Sequence, residues 1–294
     1  MRITKRVRSV VTALAVAAGT LAGSAGSGAA APPPPGRLAA VEIVKASGTV
    51  ADFENVSATC PGWKVAIGGG AEADFGENPG SGHTLELIQS RPVMDNGAAT
   101  GWTASAHHLY TQFPLTVTAY AICAATPPGY EVLRSGPAEL PEGGAVTLTC
   151  PTGKVALGGG GEIPPAYQTS LSKSYPASSS GSGAPDQWVV SGYDTDHSTT
   201  TTGYAICADP ITDMTVHQYS APSDDNPYGG LLKCPAGTSV VGGGASANGP
   251  WASLFASRPA KAAETGSRDG WWTEASDDAW SHSMDLFVMC AQPV

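Results

Sequence analysis

Three strings of this 294-residue chain line up almost residue for residue: CPGWKVAIGGGAE from Cys60, CPTGKVALGGGGE from Cys150 and CPAGTSVVGGGAS from Cys234. A repeat constrains a fold more tightly than local propensity does, because every copy has to build the same supersecondary unit. A second shared string follows each one: LIQSRP ending at Pro92, LSKSYP ending at Pro176 and LFASRP ending at Pro259. A tryptophan comes next, in GWTASA (Trp102), QWVVSG (Trp188) and GWWTEA (Trp271), and each copy closes with AYAICAA around Cys123, GYAICAD around Cys207 or LFVMCAQ around Cys290. The openings VEIVKAS at Val41, YEVLRSG at Tyr130 and MTVHQYS at Met214 then set three units at 41–126, 127–211 and 212–294.

Within a unit the pattern is that of strands. Runs such as LTVTAYAIC, AVTLTC, LELIQS and WVVSGY alternate or cluster β-branched and aromatic residues, with Gly, Pro, Asn and Asp between them. Thirty-seven Gly and 24 Pro argue against a helical bundle or coiled coil. Five or six strands per copy and no substantial helix are expected, so the fold class is all-β. Six cysteines allow fifteen pairings. The repeat reduces them to one economical set, Cys60–Cys123, Cys150–Cys207 and Cys234–Cys290, one staple per unit. No unit has a close Cys pair with an adjacent His, which speaks against zinc. The glycine triplets lack the Lys-Ser or Lys-Thr and following helix of a phosphate loop. Their expected role is structural: missing side chains at Gly68–Gly70, Gly158–Gly160 and Gly242–Gly244 let backbones approach or a strand bulge, and three such points suit sheets meeting near an axis. A Trp recurring beside a strand in every copy is expected to fill equivalent core space.

The succession CPxG, GGG and YAIC resembles a repeat found in secreted proteins of filamentous actinobacteria, mostly of unassigned function, and the resemblance covers nearly all of 41–294. In layout the chain also resembles vitelline membrane outer layer protein I, in which three units each open with a CPxG-like string and end on a Cys-bearing strand. That likeness implies a β-prism of three sheets around a pseudo-threefold axis. The Cys-to-Cys stretch is much longer here, and the glycine triplet is not that family's signature. The alternative expectation is three tandem β-sandwiches, each with its own disulfide and joined near Pro127 and Pro210.

The N-terminus reads as a secretory signal peptide over residues 1–30: Arg2, Lys5, Arg6 and Arg8 precede a short apolar run from Val10 to Leu21 and a stretch of small residues. The run is too short for a span, which needs roughly twenty residues. Cleavage is expected after Ala30, with Ala25 as second choice, leaving 31–40 as a Pro-rich extended leader and an extracellular product released from the membrane. The whole chain carries −10, and removal of four basic residues makes that more acidic. The units hold three basic and eight acidic, three and eight, and four and nine residues, so each contributes the same negative charge. Such a balance argues against nucleic acid as a partner, since phosphates are neutralised by Lys and Arg.

There is no GxSxG, HExxH, EF-hand or CxxC pattern in the chain. The acidic turns around Asp194 to His197 and Ser276 to Asp278 could hold a metal, but such turns are ordinarily solvated, and neither a metal nor another cofactor is expected. The segment between the Trp strand and the last Cys strand differs among the copies, reading HHLYTQFP, DTDHSTTTTG and SDDAWSHSMD. Variable loops on a rigid scaffold are where binding tends to reside. His107, His108, Tyr110, Asp194, Asp196, His197, Asp277, Asp278, Trp280 and His282 are therefore the candidate ligand-binding residues, a mixture suited to stacking on sugar rings and bonding hydroxyls. In a strand, His107 and His108 would face opposite sides, so both serve one site only from a loop. The expected function is non-enzymatic, lectin-like recognition of a cell-surface or extracellular glycan. The alternative is a structural or protective extracellular protein, or a partner of another secreted protein. A hydrolase would need two carboxylates, or a Ser and a His, meeting in a cleft.

Overall fold

A computed structural model describes residues 36–74, 85–109, 114–141, 143–166, 169–181, 183–194, 198–223, 227–249, 251–276 and 282–292. The expected signal peptide lies outside them. Residues from Pro33 onward form one compact unit.

The first repeat supplies β1 (Glu42–Val50), β2 (Val56–Thr59), β3 (Lys64–Asp74), β4 (Leu85–Asp95), β5 (Ala98–His108) and β6 (Leu115–Ala125). The second supplies β7 (Glu131–Arg134), β8 (Ala138–Pro141), β9 (Val146–Thr149), β10 (Val155–Glu162), β11 (Thr169–Ala177), β12 (Gln187–Asp194) and β13 (Ser198–Ala208). The third supplies β14 (Thr215–Ser223), β15 (Tyr228–Lys233), β16 (Ser239–Asn248), β17 (Ser253–Ala260), β18 (Gly270–Ser276) and β19 (His282–Ala291), with one short helix, α1 (Ala262–Thr265). The all-β expectation holds, and the second copy has one strand more than expected because the segment before its first Cys pairs twice along β13.

The strands form three sheets. In order, the first is β1-β6-β3-β17-β18-β15, the second β2-β5-β4-β10-β13-β7 with β8 also on β13, and the third β14-β19-β16-β11-β12-β9. Every sheet thus joins half of one repeat to half of another, in cyclic order. Three tandem, self-contained sandwiches are therefore not what this chain builds; the halves of each copy go to different sheets. Each inter-repeat seam has two registered pairs: Ala256 and Ser257 with Glu72 and Ala71, Gly161 and Glu162 with Ser90 and Gln89, and Lys173 and Ser174 with Ser246 and Ala245.

The triplet glycines have three distinct tasks, repeated in each copy. A bulge precedes the first of them, between Ala66 and Gly68, Ala156 and Gly158, and Val240 and Gly242. There the strands of different repeats come into contact: an added Cβ at Gly68 would lie 3.4 Å from Val241 O, at Gly158 2.5 Å from Ile67 O, and at Gly242 2.6 Å from Leu157 O. The middle glycine receives the indole of its own repeat, so Trp102, Trp188 and Trp271 lie against Gly69, Gly159 and Gly243. All three indoles are buried, and each donates Nε1–H to a serine, Ser90, Ser174 or Ser257. The third glycine of each triplet abuts the backbone across the seam.

Cys60–Cys123, Cys150–Cys207 and Cys234–Cys290 are bonded, spanning 63, 57 and 56 residues. In each pair one cysteine follows a strand of one sheet and the other lies within a strand of the next, so every staple ties two sheets together. Bonds of this kind fit an oxidising, extracellular compartment. Among the described residues no helix is long and apolar enough to cross a membrane.

Candidate functional site

Two of the ten residues expected in binding loops have described side chains, and both depart from that expectation. His107 and His108 end strand β5 and are fully buried. His107 Nε2 lies 2.9 Å from Thr169 O and 3.2 Å from Glu86 Oε2, while Nδ1 lies 3.0 Å from His108 O. Acceptors on both ring nitrogens require both to donate, which is the imidazolium form. Burial alone would lower the pKa of His107, but the Glu86 carboxylate and the two carbonyls outweigh it and raise the pKa above the ordinary histidine value. His108 Nδ1 lies 3.0 Å from Asp52 Oδ1, which accepts from it. Opposite facing along a strand was the physical objection to a shared site, and each ring has its own carboxylate. Asp194 and His282 lie in β12 and β19. The side chains of Asp194 and His282, together with Tyr110, Asp196, His197, Asp277, Asp278 and Trp280, lie outside what is described.

The His107 cluster extends across all three sheets. Ser253 Oγ donates to Glu86 Oε1 at 2.6 Å and stands 2.8 Å from Ser170 Oγ. Glu86, Ser170 and Ser253 each precede the shared leucine of β4, β11 and β17, so equivalent positions of the three copies meet. A serine, a glutamate and a histidine come together here, yet the hydroxyl addresses the carboxylate and the group is buried. This is a polar tie within the core.

Groups open to a ligand lie on the solvent side of the third sheet. Ser174 accepts from the buried Trp188, so its neighbours Lys173 and Tyr175 point the other way, onto one outer face. Tyr175 stacks on Phe287 of β19 with ring centroids 4.8 Å apart. Gly244, between their strands, has no side chain to part them. Burial, and then the charge of Asp285, pushes the Tyr175 hydroxyl above the usual phenol range. A cavity of 370 Å³ opens beside this pair, lined also by Pro176, Val216, Gln218 and Asp285. Further along the same face a second cavity, of 320 Å³, is lined by Lys173, Tyr193, Asn248 and Trp251. Asn248 Nδ2, on the wall of the second cavity, donates to Asp285 Oδ2, on the wall of the first, at 2.9 Å. Trp251 is 46% exposed and has φ 61°, a left-handed setting that bulky side chains rarely adopt.

The equivalent seams are closed by their own charges. At the first, Arg258 lies over the Tyr120 ring at 5.4 Å and pairs with Glu72. At the second, Arg91 lies over Tyr204 at 5.6 Å and pairs with Glu162 at 2.6 Å. A cavity of 270 Å³ there meets Glu162 and Arg134, already bonded to each other. Burial opposes ionisation of Glu162, but the Tyr204 hydrogen bond and the arginines outweigh it and hold its pKa below the usual carboxylate range. At the third seam Tyr175 replaces Arg, Ser246 replaces Glu and Phe287 replaces Tyr. This departure from the repeat was visible in SYP against SRP and could have pointed to the site; the variable segments drew attention elsewhere.

The exposed indole of Trp251 and the half-buried ring of Tyr175, beside amide, ammonium and carboxylate groups, can stack on a sugar ring while those groups bond its hydroxyls. No family model matches the chain, and no curated protein matches it.

Proposed function

We propose that this chain is a secreted, non-enzymatic binding protein that recognises extracellular or cell-surface glycan along the outer face of its third sheet. The observation that carries the reading is the track from Trp251 and Tyr193 past Asn248 and Lys173 to Tyr175 and Phe287: aromatic surface at both ends and polar groups between. Alternating stacking and hydrogen-bonding groups suit an oligosaccharide, whose rings have apolar faces and polar edges. The expected signal peptide at 1–30 and the three disulfides support secretion.

The fold belongs to the same reading. We take the three sheets as the faces of a β-prism around a pseudo-threefold axis. Cyclic exchange of strands, the mutual approach of the three glycine bulges and the meeting of Glu86, Ser170 and Ser253 support it. A second reading, a structural or protective extracellular protein, is favoured by a separate observation, that each disulfide ties two sheets. A glycan array and purified cell walls, probed with wild type and Trp251→Ala, separate the two. Saturable binding by wild type, weakened roughly tenfold or more in the variant, is expected for glycan recognition, a loss in the range of one hot-spot aromatic. No saturable binding to either, with folded protein, would leave the structural role.

A further inference from the structure

We infer that the sugar seated beside Tyr175 and Phe287 carries a free amine, so that the ligand is a glycan containing unacetylated amino sugar. This rests on the glycan reading and adds the charge of the ligand to it. The chain itself supplies the comparison. At each of the other two seams the third glycine faces an aromatic ring and the residue two further along its strand is a carboxylate, and an arginine from the facing strand covers the ring and pairs with the carboxylate. The third seam keeps the aromatic ring, as Phe287. It also keeps one carboxylate, moved across the rung: Glu72 faces Thr118 in the first sheet, whereas Ser246 faces Asp285 in the third. No arginine covers this ring, because Tyr175 stands where Arg258 and Arg91 stand in the other copies and stacks on Phe287 in its place.

Asp285 accepts from Ser220 and Asn248, two neutral donors, and makes no ion pair with any described residue. Among the described residues that line its cavity there is no Lys, Arg or His. Lys173 shares the rung of Asp285 with Ser246 between them, and it lines the neighbouring cavity without an ion pair to that carboxylate. A carboxylate next to an aromatic face attracts an ammonium group by charge and by the ring quadrupole together. The surrounding field has the same sign, since the chain carries −10. A neutral sugar would use the aromatic faces and leave the charge of Asp285 unmatched, whereas a protonated amino sugar uses both.

The test is calorimetric titration of the full-length secreted protein, at mildly acidic pH, with three oligosaccharides of equal length and linkage: glucosamine, N-acetylglucosamine and glucose. The glucosamine oligomer is expected to bind roughly tenfold tighter than either neutral one, and the preference should shrink as salt is added. Asp285→Asn keeps the shape and should bring the ratio of affinities near one. Tyr175→Arg restores the residue found in the other two copies, so folding is expected to survive; its guanidinium should reach Asp285 and abolish the preference. Equal binding of all three by wild type, or a preference that persists in both variants, would overturn the amine assignment while leaving glycan recognition standing. Absence of binding to all three, together with a blank array, would remove both.

Discussion

Replacing Gly69 by alanine asks whether the middle glycine of the triplet is required for the core. A Cβ at this position would lie 2.2 Å from Trp102 Cδ2 and 2.4 Å from the backbone oxygen of Tyr120. Ordinary contact begins near 3.4 Å, so both neighbours are too close by about 1 Å or more. The Tyr120 backbone belongs to β6, which is paired on both sides with β1 and β3, and has little freedom to retreat. The indole would have to move instead, yet it is buried and its Nε1–H donates to Ser90 at 3.0 Å. Overpacking of this kind costs about 1–3 kcal/mol, and loss of a buried hydrogen bond adds about 1 kcal/mol. A destabilisation of about 3 kcal/mol is expected, read as a shift in urea midpoint with the disulfides intact. Gly62→Ala, where an added Cβ meets nothing within 4 Å, is the control and should change stability by less than about 0.5 kcal/mol. If Gly69→Ala costs no more than the control, the steric account of the triplets is wrong.

Two further outcomes follow from the staples and the buried histidine. Replacing Cys60 and Cys123 together by alanine opens a closure of 63 residues, and chain entropy puts the loss at about 4 kcal/mol, measurable by the same denaturation. Because the folded-state pKa of His107 is raised, its contribution to stability is present in full below the unfolded-state value and is lost as pH rises through the folded-state value. Thermal melts across that window should show a decline that His107→Gln flattens; an identical profile in the variant would show that the imidazolium assignment is mistaken.

Much of this architecture was legible because it was written three times. Recurrence of the cysteines, glycine triplets and tryptophans was enough to pair the disulfides, place the indoles in the core and read the triplets as structural, since equivalent residues in equivalent units meet equivalent surroundings. The same reasoning misjudged His107 and His108. It took a segment that differs among copies as an exposed loop, whereas in the first copy β5 continues through both residues and buries them against Glu86 and Asp52. Polar residues can lie inside wherever a partner of opposite charge is brought to them, and no linear pattern names that partner.

Periodicity and spacing within one copy were enough for the repeating unit, its all-β character and its cysteine pairing. The three-dimensional arrangement shows that each copy divides between two sheets, because strand pairing across a seam is a contact between residues far apart in the chain. It alone brought Tyr175, Phe287, Asp285, Asn248 and Trp251 onto one face. Those residues come from the second and third repeats and become neighbours only when β11 pairs with β16 and β16 with β19.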